Sequence, residues 1–148
     1  MSERPHRALV IDVDGMLCPV KFAEESYDAL APPAHMVERL HEWRRRGFRI
    51  VLYTSRNMRT YGGNLGLINK HTAPALMDWL ARWDVPFDEI HFGKPWPGDE
   101  GYYVDDRCVR PDEFVSLSPD ALRALVDGAR DRFHAAAADL PAGGPSRG

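Results

Sequence analysis

The sequence predicts an α/β fold: a central parallel sheet covered on both faces by helices, a three-layer arrangement, with its binding edge at the C-terminal ends of the strands. Two observations predict it. Short, near-continuous apolar runs alternate with segments whose apolar residues recur at helical spacing. The residues able to do chemistry, Asp12, Asp14, Thr54, Lys94, Asp105 and Asp106, all fall at or just after the ends of apolar runs. Right-handed crossovers would bring those ends to one edge of the sheet.

Ala8 to Val13 reads as a buried strand. Met36, Leu40 and Trp43 then recur at helical spacing, and Gly47 closes that helix. Phe48 to Tyr53 is a second apolar run, leading into Thr54-Ser55-Arg56. Asn57 to Thr72 reads as a long polar loop containing glycines. Leu76, Trp79, Leu80 and Trp83 predict a second helix packed through its tryptophans, with Thr72 as its N-cap. Glu89 to Phe92 and Tyr102 to Val104 predict short strands, and Phe114 to Leu117 a fifth. Ser118-Pro119 opens a last helix with an apolar stripe of Leu122, Leu125, Val126, Ala129 and Phe133. One domain over residues 1–140 and a disordered tail over 141–148 are expected.

Composition narrows the class. The 148 residues are 44% hydrophobic and 28% charged, ordinary for a globular protein, and a net charge of -3 gives no electrostatic reason to expect nucleic acid as partner. Arg44-Arg45-Arg46 sits late in a predicted helix, where it complements the helix dipole. Two cysteines, Cys18 and Cys108, make no disulfide framework and suit a reducing cytoplasm. Met1 to Arg7 has no signal-peptide apolar stretch, and no segment reaches the about 20 apolar residues that span a membrane. A cytoplasmic protein without membrane partners is the expectation.

Asp12-Val13-Asp14-Gly15 concentrates the chemistry. Side chains alternate along a strand, so two carboxylates two residues apart share a face, and Gly15 lets the chain turn. The plain alternative is an acidic strand-to-loop turn. Read as a site, Asp12 is a carboxylate nucleophile toward phosphorus, and Asp14 moves a proton to the leaving alkoxide and then from water. A hard Mg²⁺ cancels the repulsion between carboxylate and phosphate, and Asp105 or Asp106 would complete its ligands. Lys94, one of three lysines in the chain, neutralises the crowded carboxylates, and Thr54 hydrogen-bonds a phosphoryl oxygen.

Val10 to Leu17, Thr54, Lys94-Pro95 and Asp105-Asp106 resemble, in order and in context, the four motifs of the haloacid dehalogenase-like (HAD) superfamily. The resemblance spans Ala8 to Leu117. It implies a Rossmann-like core, Asp12 as nucleophile, Asp14 as general acid/base, and Mg²⁺ held by Asp12, the Asp14 backbone carbonyl and Asp105. An aspartate at position 14 fits the phosphomonoesterases of that superfamily, while Met16 departs from its usual threonine. A narrower resemblance, in Arg56 to Tyr61, Asn64, Ile68 to Lys70, Gly93 to Trp96, Tyr103 to Arg107 and Arg110-Pro111, is to small HAD-type proteins of capsular polysaccharide and sugar-nucleotide gene clusters. It implies a small phosphorylated substrate, a phosphorylated sugar or a related intermediate of polysaccharide or sugar-nucleotide biosynthesis. A local similarity to polynucleotide 3′-phosphatases lies in Thr54-Ser55-Arg56 and Asp105-Asp106-Arg107.

The Asn57 to Thr72 stretch follows directly on Thr54 and Arg56. Together they offer Arg56, Asn57, Arg59, Tyr61, Asn64 and Lys70 to a phosphorylated, hydroxyl-rich substrate, against the alternative that its Asn and Gly residues simply build turns. Leu17 to Pro33 is too short for a folded cap domain. The capless site this implies is open to a large substrate, or covered by a neighbouring subunit in a homo-oligomer. The rival expectations are a polynucleotide 3′-phosphatase and a non-catalytic HAD-fold binding protein.

Overall fold

The computed structural model describes residues 6–19 and 29–138. Its element order is β1 (Ala8–Ile11), α1 (Ala34–Arg45), β2 (Arg49–Thr54), α2 (Leu65–His71), α3 (Ala73–Arg82), β3 (Glu89–Phe92), α4 (Pro111–Ser116) and α5 (Pro119–Ala138). The fold is therefore α/β, with a three-stranded parallel sheet in the order β1-β2-β3. The chain falls into two compact units, Met1–Glu100 and Gly101–Gly148. The expected tail over 141–148 lies outside the described residues, as do residues 20–28 of the stretch too short for a cap. No helix among the described residues is long and apolar enough to cross a membrane.

The first unit is organised by β2. Ile50, Val51 and Leu52 are consecutive and all buried, so both faces of the sheet are covered at its centre. Val10 pairs with Val51 and Leu52 with Ile90, and this register carries the ends of all three strands to one edge. Leu40 and Trp43 of α1 and Leu76, Trp79 and Leu80 of α3 are buried, as their spacing predicts. The Trp79 indole N–H donates to the Leu30 carbonyl at 2.7 Å, which satisfies the one polar atom of a side chain 1% exposed. Trp83 departs from the predicted stripe: it stands at the C-cap of α3 and is 39% exposed.

Part of the expected loop is helical. Asn64 caps α2 by accepting the Leu67 N–H at 3.2 Å, and Ile68 is the residue that α2 buries. Thr72 sits at the α2–α3 junction with helical backbone angles and makes no side-chain cap bond. Its hydroxyl instead donates to the Asn57 side-chain oxygen at 3.0 Å.

In the second unit Phe114–Leu117 is not a strand. Pro111 starts α4, and the Glu113 carboxylate accepts the Arg110 N–H at 2.8 Å. Tyr102–Val104 is irregular, with Tyr102 and Val104 at 86% and 96% exposure: strand-favouring residues become a strand only where a ladder satisfies their backbone. Ser118 starts α5 as predicted, its hydroxyl accepting the Ala121 N–H at 3.1 Å. Leu122 is buried, whereas Phe133 at the far end of the predicted stripe is exposed.

Candidate active site

β1 ends at Ile11, so Asp12 is the first residue past the ladder and Val13, wholly buried, anchors the next turn. That turn is tied tightly. The Val13 carbonyl accepts the N–H groups of Leu17 at 2.9 Å and Cys18 at 2.8 Å, and the Cys18 carbonyl accepts that of Gly15 at 2.7 Å. Gly15 takes a φ of 84°, a conformation that costs glycine little and other residues much. Leu17 and Cys18 are buried beneath the turn, which holds Asp12 and Asp14 up at the sheet edge. The bonds that close the turn run to the carbonyls of Val13 and Cys18, on either side of the Asp14 carbonyl.

Lys94 reaches the same edge from β3. Its backbone N–H donates to the Thr54 carbonyl at 3.1 Å, continuing the ladder one step, and its ammonium lies 3.7 Å from an Asp12 carboxylate oxygen. Burial pushes the Asp12 carboxyl above its ordinary value, against the opposing pull of Lys94. The Asp12 side chain stays 40% exposed beside that ammonium. Gly93, at a φ of 85°, turns the chain into Lys94, and a Cβ there would come 2.7 Å from Leu65 Cδ2. Gly93→Ala is expected to lower stability by about 1–2 kcal/mol, read as a shifted chemical-denaturation midpoint. An unchanged midpoint would mean that Leu65 moves aside and the backbone relaxes.

Asp14 faces a different partner. Arg56 donates from Nη2 to Asp14 Oδ1 at 2.6 Å and from Nε to Oδ2 at 3.2 Å, the two-point fork that guanidinium makes with carboxylate. Arg56 was expected to touch substrate; it is 6% exposed and turned inward onto Asp14. Thr54, expected to bond a phosphoryl oxygen, is wholly buried, and its hydroxyl accepts the Arg56 backbone N–H at 3.0 Å. Thr54 therefore sets the turn by which the chain leaves β2.

The remaining candidates divide. Asn57 takes a φ of 61°, which asparagine tolerates better than most residues; its side chain accepts from Thr72 and donates to Thr60. Asn64 accepts the Leu67 N–H at the start of α2, so both asparagines have side-chain bonds within the chain. Arg59 is exposed and lies over the Trp96 ring, 5.6 Å from its centroid, and Lys70 is exposed in the last turn of α2. Asp105 and Asp106 belong to the second unit and are exposed. The Asp105 carboxylate accepts the Arg107 N–H at 3.0 Å, a bond that lowers its carboxyl, and Asp106 pairs with Arg130 at 3.6 Å. Among the described residues, no three or more His, Cys, Asp or Glu side chains gather as a metal site.

No family profile matches the chain, and no curated protein matches it. A crystal structure of an MCSG target from Vibrio cholerae is similar: 43% identity and a TM-score of 0.78, over 82% of this chain and 98% of that one. At that identity and coverage, the chain belongs to the same family as this Vibrio cholerae protein.

Proposed function

We propose that this protein is a Mg²⁺-dependent phosphomonoester hydrolase of the HAD superfamily, with a Rossmann-like three-layer core. It works through an aspartyl phosphate on a phosphorylated sugar or a related small biosynthetic intermediate. The observation that carries the reading is Asp12: a half-exposed carboxylate at the end of a parallel strand, with Lys94 at 3.7 Å and the Arg56-clamped Asp14 two residues on. The motif order adds to it.

In this mechanism an Asp12 oxygen attacks phosphorus, and the bond from phosphorus to the ester oxygen breaks. The departing alkoxide takes up a proton from Asp14, which regains one from the attacking water. Water then attacks the acyl phosphate, regenerating the Asp12 carboxylate and releasing inorganic phosphate. Lys94 neutralises charge as nucleophile and phosphoryl group approach. Asp14, whose two oxygens both accept from Arg56, is set up to take the proton from the attacking water. The Asp12 carboxylate and the Asp14 carbonyl are hard oxygen donors of the kind that suits Mg²⁺, which commonly keeps several waters and few protein ligands. When bound, the ion supplies positive charge against the phosphoryl oxygens.

The test is a panel of p-nitrophenyl phosphate, sugar phosphates, nucleotides and a 3′-phosphorylated oligonucleotide, with Mg²⁺ and with EDTA. Turnover of the small esters that stops in EDTA is expected. Preference for the oligonucleotide would replace the substrate class, and hydrolysis of no ester would overturn the reading.

A further inference from the structure

We propose that Arg56 is a positioning residue that holds the Asp14 carboxylate in its working orientation; this rests on the phosphatase reading above. Two donors of one planar group meet both oxygens of Asp14, at 2.6 Å and 3.2 Å, so the fork fixes the carboxylate plane as well as its place. The Arg56 side chain is 5% exposed against 32% for Asp14. The guanidinium therefore grips Asp14 from the buried side, and a substrate arriving at the edge meets the carboxylate before the cation.

The clamp is itself anchored. The Arg56 N–H is bonded to wholly buried Thr54, and its guanidinium stands beside the Cys18 thiol, whose burial raises it while Arg56 pulls the other way. Cys18 closes the turn that carries Asp14. One side chain thus joins the end of β2 to the turn after β1, across 42 residues of sequence. A residue acting in this way governs how well Asp14 is aimed and leaves substrate affinity to other groups.

Steady-state kinetics on p-nitrophenyl phosphate with Mg²⁺ would compare wild type with Arg56→Ala, Arg56→Lys, Asp14→Asn and the double variant Asp14→Asn/Arg56→Ala. Arg56→Ala is expected to lower kcat roughly 100-fold with KM changed by less than about twofold. Arg56→Lys recovers only part of it, because an ammonium keeps the charge and loses the fork. In the Asp14→Asn background, removing Arg56 costs little more, since its route to the reaction is already gone. A raised KM at unchanged kcat, or fully additive losses, would overturn the proposal and make Arg56 a substrate ligand. An activity-independent reading comes from the Arg56 Nε–H resonance in ¹⁵N spectra, slow to exchange in wild type and fast in Asp14→Asn. A protected resonance in a wild type that hydrolyses no ester sinks the phosphatase reading while the clamp stands. Fast exchange in an active wild type sinks the clamp alone.

Discussion

Asp12→Asn is expected to abolish phosphate-ester hydrolysis, by at least roughly 10⁴-fold in kcat, while leaving the protein at least as stable as wild type at neutral pH. The loss follows from the assigned role: an amide is not the nucleophile that a carboxylate is. The stability half follows from where the carboxylate sits. Its carboxyl is raised from 3.8, with burial outweighing the attraction of Lys94. Well below 3.8 the group is protonated in both folded and unfolded chains and costs nothing. As pH rises toward the folded value the unfolded chain gives up the proton first, so the native state loses stability, and above that value the penalty is constant. Asparagine carries no such penalty. Thermal melts should therefore show the variant gaining on wild type between acid and neutral pH, with no gain in strong acid. A variant that melts lower at neutral pH would mean that Lys94 outweighs burial, and a variant that still turns over ester would remove Asp12 from the reaction.

Elements with a strong period were legible in the sequence. Leu76, Trp79 and Leu80 bury as their spacing says, and the runs of β1, β2 and β3 pair in parallel. Short apolar runs were ambiguous for a physical reason: four residues do not sample a helical turn well enough to separate it from a strand. Phe114–Leu117 went wrong in that way, although Pro111 and Glu113 ahead of it carry the signature of a helix start. Asn64 likewise signalled α2, a short helix that buries Ile68 and was hidden in a polar stretch.

The site was legible where its residues sit at strand ends. Strand termini are set by local pattern, and a parallel register gathers them at one edge whatever the intervening sequence. This placed Asp12 beside Lys94. Side-chain partners were not legible. No spacing rule announces that Arg56 turns inward to Asp14, that Thr54 accepts from its own turn, or that Asn57 holds Thr72. Each choice depends on which polar group is buried and must find a partner there. A polar residue near a site is thus as easily claimed by the scaffold as by substrate, and Arg59, exposed over Trp96, is the candidate of that stretch left facing outward with Lys70.

Lys94→Met is expected to lower kcat/KM by roughly 10²–10³-fold, the range for losing one preorganised charge or donor at a developing anion. It should also move the acid limb of the pH profile upward. Methionine keeps much of the length and apolar body of lysine, and the backbone bond from residue 94 to the Thr54 carbonyl is unaffected, so the substitution isolates the ammonium. Lys94 is the largest influence lowering the Asp12 carboxyl. Without it, burial is less opposed and Asp12 holds its proton to higher pH. In the proposed mechanism only the ionised carboxylate attacks phosphorus, so the rise of kcat/KM with pH is expected to begin later than in wild type. A simple loss of substrate affinity would lower the whole profile and leave that limb in place. A lowered profile with an unmoved limb would mean that Lys94 serves the phosphate and not the nucleophile, and an unchanged rate would place it outside the reaction altogether.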